Sequence, residues 1–96
     1  MIGGLKTITV KAGFEDEFEA LFKELRDEMR QNEPNCLLYS LLRSKTDPRC
    51  YIVHEQYLDQ TALDDHEASA HGEKYFPRIR ALLDDITVEY FDAVVE

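Results

Sequence analysis

Two histidines, His66 and His71, stand five residues apart in the stretch Tyr57–His71. Imidazole is the side chain whose ordinary titration lies nearest neutral pH, so a pair of them beside a sheet edge suits proton transfer. His66 follows Ala62 and Leu63 at helical spacing and therefore shares their inward face. It is either a pocket base, or substrate hydrogen-bond donor, or a core histidine bonded to a backbone carbonyl. His71 falls in the first turn after Ser69, where a helix N-terminus disfavours the imidazolium and favours a base-competent neutral ring. Its alternative role is to stabilise a helix start after a break at Glu67-Ala68.

Five-residue spacing on a continuous helix sets two side chains about 140° apart, unlike the i, i+4 pair of zinc enzymes, so no metal site is expected from this pair. His54 lies on a strand, distant from both in sequence. Glu55 sits between Val53 and Tyr57 on one strand face, where an isolated carboxylate is costly to bury and needs a partner. It could orient a histidine, lock a dimer or meet a substrate. Tyr39, Tyr57 and Phe76 are the aromatic candidates for lining a pocket, or else they are core. The chain has no Gly-rich phosphate loop, nucleophile elbow or CxxC, so nucleotide and disulfide chemistry find no support.

The elements that must position these residues follow from periodicity. Leu5–Lys11 alternates as a strand, and Ala12-Gly13 ends it. Phe14, Phe18, Leu21, Phe22, Leu25 and Met29 form one apolar stripe of a helix of about five turns. Glu15, Asp16 and Glu17 fill its first turn and Asn32-Glu33-Pro34-Asn35 stops it. Cys36–Ser44 and Cys50–Tyr57 are strands joined by the turn Lys45–Arg49, hence an antiparallel hairpin. Asp59 is the N-cap of a short helix, and Ser69 caps a second one carrying Tyr75, Phe76, Ile79, Leu82 and Leu83 inward, with Pro77 expected to kink or restart it. Ile86–Val95 is the last strand.

The order β-α-β-β-α-β predicts an α+β, ferredoxin-like fold over a single domain, residues 1–96: one antiparallel sheet with helices on one face. Strand two, Leu37-Leu38-Tyr39-Ser40-Leu41-Leu42, is apolar on both faces although helices cover only one. The open face is therefore expected to meet the same face of a second copy, as a homodimer.

Charge narrows the partners. With 20 acidic against 11 basic residues, the net charge is −9, which excludes a nucleic-acid footprint and argues against an anionic membrane surface. No segment is apolar for long enough to span a bilayer, and the N-terminus lacks a signal-peptide pattern. Cys36 and Cys50 make no disulfide framework and are expected as free, buried thiols. A cytoplasmic location is the simplest expectation.

Several short motifs, in this order and spacing, resemble the antibiotic biosynthesis monooxygenase family of dimeric α/β-barrel proteins. Lys11-Ala12-Gly13-Phe14-Glu15-Asp16-Glu17-Phe18 is similar to its strand-to-helix entry, with Ala12 where proline is usual. Asn35-Cys36-Leu37-Leu38-Tyr39 resembles its Gly-Cys-x-x-Tyr, and Asn35 tolerates the left-handed backbone a glycine would supply. Glu55-Gln56-Tyr57-Leu58-Asp59 is similar to Glu-x-Trp-x-Asp with Tyr57 for the tryptophan, and Ala62-Leu63-x-x-His66 with Ser69-x-His71 resembles the closing signature.

The resemblance covers Thr7–Val94. It implies a dimer whose two sheets form a barrel, with a small pocket between sheet and helices in each protomer. Characterised members include cofactor-independent oxygenases of anthrones and quinols, a small-metabolite isomerase and haem-degrading relatives. The last use an Asn on strand one and a Trp, where this chain has Thr7 and Thr9 and no Trp. The expectation is thus a monooxygenase that oxidises a small electron-rich aromatic with O2 and no cofactor. His66 and His71 would be catalytic, and Tyr39, Glu55, Tyr57 and Phe76 would contact substrate. An isomerase or tautomerase of a keto metabolite, or a non-catalytic small-molecule-binding dimer, is the alternative.

Overall fold

The computed structural model describes residues 1–96. Its elements are β1 (Ile2–Val10), α1 (Glu15–Asn32), β2 (Cys36–Arg43), β3 (Cys50–Tyr57), α2 (Gln60–Glu67), α3 (Ala70–Arg80) and β4 (Leu83–Asp92). The sheet is antiparallel in the order β2-β3-β1-β4, with the helices on one face. This is the ferredoxin-like arrangement expected from the sequence, with the second helical stretch divided in two.

Alternation decides which side chains meet the helices. Ile2, Gly4, Ile8 and Val10 of β1 are buried on that side, as are Tyr51, Val53, Glu55 and Tyr57 of β3. Phe18, Leu21, Phe22, Leu25 and Met29 close the core from α1, at the three- and four-residue steps that make one helical stripe. Phe14, expected to join that stripe, caps the helix instead and is half exposed. Both cysteines are only partly buried, and desolvation, with the charge of Glu33, pushes the Cys36 thiol up to about 11.

The ends of β1 and β4 differ from the sequence reading. β1 begins at Ile2, ahead of Leu5, because Ile2–Gly4 pair with β3 on one side and β4 on the other. β4 starts at Leu83 and stops at Asp92: Val10 pairs with Leu83 across a bulge, whereas Val94 and Val95 have no strand beside them and are exposed. Pro77 neither breaks nor restarts the helix, and α3 runs through it to Arg80.

The break lies earlier, at Ala68-Ser69, and both expected caps form there and upstream. Asp59 accepts a hydrogen bond from Ala62 N–H at 2.9 Å. Ser69 Oγ accepts from Gly72 N–H at 3.0 Å and donates to His66 C=O at 2.7 Å. One hydroxyl thus starts α3 and ties it to the last turn of α2. We expect Ser69→Ala to lower stability by about 1–2 kcal/mol, the range for losing a capping side chain, as read from urea unfolding midpoints. A loss under a few tenths would show that the junction holds without it.

Candidate active site

Pro34 disfavours the helical conformation for the residue before it, so α1 ends with Glu33 outside the helix at φ −126°, ψ 73°. The Glu33 carboxylate is nearly buried and reaches the α2–α3 junction. His66 Nδ1 lies 3.0 Å from both of its oxygens. His71 Nε2 contacts Oε2 from the other side. A residue of the α1 stop therefore holds both histidines, and the break between helices is what lets them converge on it.

The protonation pattern follows. Burial pushes the Glu33 carboxyl up, but hydrogen bonds from His66 and His71, with their charges, outweigh it, and its pKa lies below the usual carboxylate value. An ionised Glu33 can only accept, so His66 Nδ1 is a donor to it, and whenever the ring is neutral the lone pair falls on Nε2. That Nε2 is buried and has no protein partner. His71 Nε2, by contrast, is engaged by Glu33.

His66 lines a cavity of about 330 Å3 between the helices and the β1–β4 half of the sheet. Tyr39, Phe76, Phe22 and Leu25 line it from the helix side and neighbouring strand, and Ile86, Val88 and Tyr90 form the β4 wall. The His66 ring is surrounded by Tyr39 at 5.4 Å, Tyr57 at 5.4 Å and Phe76 at 5.2 Å between centroids, all tilted. Phe76 can lie there because residue 72 is glycine: a Cβ would stand 2.5 Å from its ring.

Of the six residues singled out from sequence, Tyr39, His66 and Phe76 line the cavity. His71 lies behind His66 on Glu33. Tyr57 is fully buried beneath the His66 ring, and its hydroxyl donates to Glu55 Oε1 at 3.2 Å. Glu55 is fully buried too and finds its partner in Lys6, whose Nζ is 3.1 Å from Oε2. Sequence reasoning missed Glu33 and Lys6. Glu33 carried one usable signal, an acidic residue immediately before the proline that ends a helix.

Because α2 and α3 are separate helices, the five-residue spacing of His66 and His71 does not hold their side chains apart. Donor atoms of Glu33, His66 and His71 all lie within 4.8 Å of one another, a two-histidine, one-carboxylate set of the kind that suits divalent iron or zinc. The hydrogen bonds account for the same geometry, and an ion could enter only by displacing the protons that join the three groups.

A depressed carboxyl pKa has a defined consequence for stability. The unfolded chain takes up a proton near the ordinary value of 4.5 and the folded chain only below it, so the contribution of Glu33 is complete above 4.5 and fades as pH falls through the lowered value. We expect Glu33→Gln to cost about 2–3 kcal/mol at pH 7, and the gap from wild type to narrow in acid. Equal gaps at pH 7 and pH 3 in denaturant titrations would contradict the assignment.

The comparisons with known proteins agree on what kind of chain this is. The family model described as antibiotic biosynthesis monooxygenase matches residues 1–78. A candidate antibiotic biosynthesis monooxygenase from Caulobacter crescentus is 34% identical, with a TM-score of 0.92 over 98% of this chain and 90% of that one. A second structure, named as an antibiotic biosynthesis monooxygenase, is 33% identical with a TM-score of 0.89, covering 99% of this chain and all of the other (100%). A conserved protein from Methanosarcina mazei is 26% identical, with a TM-score of 0.87 over 94% and 89% of the two chains. No curated protein sequence matches. With its family match over most of its length and two full-length structural relatives above 30% identity, the chain belongs to the antibiotic biosynthesis monooxygenase family.

Proposed function

We propose that this protein is a cofactor-independent monooxygenase acting on a small electron-rich aromatic of the quinol or anthrone type, with His66 as its base. The observation that carries this is the buried, unpartnered Nε2 of a cavity-lining histidine whose Nδ1 is held by a carboxylate. Glu33 fixes the tautomer and stabilises the imidazolium that forms when His66 takes a proton. His71 is the second anchor of that carboxylate. Nε2 has almost no contact with solvent, so a ligand reaches it only with a small displacement of the surrounding rings.

For an anthrone the chemistry balances without any added reductant. His66 removes a proton from the activated methylene, leaving a resonance-stabilised carbanion. The carbanion passes one electron to O2, and the resulting radical and superoxide combine into a C–O bond. Protonation of the terminal oxygen, then loss of the second methylene proton with cleavage of O–O, gives the ketone and water. O2 accepts four electrons, and one of its atoms stays in the product. The protein supplies deprotonation, orientation and a mostly apolar enclosure.

The same reading includes a homodimer through the sheet face opposite the helices. Leu5, Leu42, Ile52 and Phe91 expose 43%, 53%, 40% and 46% of their surface there. Four large apolar side chains on one sheet face are more than a monomer usually leaves to water. A second copy of the same face would cover them with closed two-fold symmetry. No helix of the chain is long and apolar enough to cross a membrane.

Two outcomes test this. Oxygen uptake with a panel of quinols and anthrones should exceed autoxidation, persist with a metal chelator, and fall by about 10²-fold or more in His66→Gln. The His66→Ala, His71→Ala double variant should abolish it while leaving the assembly state unchanged. Turnover under strictly anaerobic conditions would move the assignment to an isomerase or tautomerase. Analytical ultracentrifugation should show a dimer that Leu42→Glu with Ile52→Glu converts to a monomer, and a wild-type monomer would remove the interface.

A further inference from the structure

One charged group inside the cavity has no part in the proton transfer. Lys6 sits on the central strand β1, opposite Val53 of β3 and Val88 of β4. Its side chain turns to the helix side, lines the cavity, and is only 16% exposed. An ammonium among Ile8, Val53 and Val88 is costly to keep there without compensation.

The compensation comes from beneath. The Glu55 carboxylate, fully buried, lies 3.1 Å from Lys6 Nζ and accepts from Tyr57 at its other oxygen. Glu55 and Tyr90 flank Gly4 from the two neighbouring strands, and a Cβ at Gly4 would stand 2.8 Å from Glu55 Cγ and 2.9 Å from Tyr90 Cε1. The bare backbone at Gly4 thus makes room for both side chains. Burial, then the charge of Glu55, pushes the Tyr57 and Tyr90 phenols up, so both stay neutral donors.

The pairing leaves the cation available. Glu55 is not part of the cavity lining, whereas Lys6 is, so a ligand meets the ammonium and not the carboxylate. An ammonium has three N–H donors, so its 3.1 Å contact with Glu55 Oε2 leaves donors for a ligand. Nζ lies 5.5 Å from the centroid of Tyr39, and the His66 ring lies 5.4 Å from the same centroid. Base and cation share one aromatic wall. The other charged lining groups, Glu67 and Arg80, are exposed.

We propose that Lys6, seated on Glu55, is the oxyanion-binding residue of the cavity, and that it restricts ligands to compounds carrying a phenol or enol oxygen that becomes anionic when a proton is lost. This rests on the reading of His66 as the base and adds the partner such a base requires. Taking a proton from a ligand in an apolar enclosure creates an anion stripped of water, and a fixed ammonium offsets that loss where the charge develops.

Equilibrium binding of 4-nitrophenol and its methyl ether 4-nitroanisole tests this without turnover. In wild type, bound 4-nitrophenol should ionise about one pH unit or more below the free compound, read from the phenolate absorbance. Lys6→Met alone would strand Glu55, so the informative variant is Lys6→Met with Glu55→Gln, which removes both charges. Lys6→Gln with Glu55→Gln is the second variant should that one fail to fold. Either should lose the shift and weaken phenolate binding about tenfold or more, with 4-nitroanisole affinity kept within about twofold, a difference of at least about 1 kcal/mol. Lys6→Arg should retain most of the effect. His66→Gln should still bind the phenolate, so failure of the base assignment and failure of this one are separable. Unchanged phenolate binding in the neutral variants, equal losses for phenol and ether, or no phenolate binding by wild type would overturn the proposal.

Discussion

A single carboxylate organises the functional half of this fold. Glu33 is shared between two imidazoles that belong to different helices, and each contact depends on the others. Its oxygens accept from His66 Nδ1, and Nε2 is the nitrogen left without a protein partner. Remove the carboxylate and the two histidines lose the group on which they converge.

Around this point the chain spends its unusual residues. Pro34 ends α1 where Glu33 can turn away from the helix axis. Ser69 breaks the second helical layer with one hydroxyl that both donates and accepts. Gly72 lets Phe76 lie against the His66 ring. Each is a local backbone device, and together they place an imidazole, aromatic on three sides, at the wall of a cavity. On the sheet floor a second polar group repeats the logic with other parts: Gly4 clears space, Glu55 fills it, and Lys6 is held by it. Two carboxylates thus hold an imidazole and an ammonium at the wall of one enclosure.

The division of labour between sheet and helices explains why so small a domain can host both. The helices cover β2, β3 and β1 well but leave β4 thinly covered, so Ile86, Val88 and Tyr90 remain partly open beside the cavity. The opposite sheet face, with Leu42 and Ile52, is unpartnered within one chain. A 96-residue chain buries a limited core, and both features mark where its apolar surface exceeds what its own helices can cover.

Much of the fold was legible in the sequence. The α1 stripe from Phe18 to Met29, the hairpin of Cys36–Arg43 with Cys50–Tyr57 and the caps at Asp59 and Ser69 are local patterns of period, turn chemistry and hydrogen bonding, and they form as read. So were the inward face of His66 and the need of Glu55 for a partner. The boundaries of β1 and β4 were not, because pairing with a distant strand, and not local alternation, decides where they begin and stop. Glu33 and Lys6 were missed for the same reason. Glu33 is 33 residues from His66 and Lys6 is 49 from Glu55, and no periodicity links them. Residue types and local geometry set which groups could act. Only tertiary packing decided which carboxylate each would meet, which nitrogen of His66 would be free, and that His71 would support its neighbour from behind.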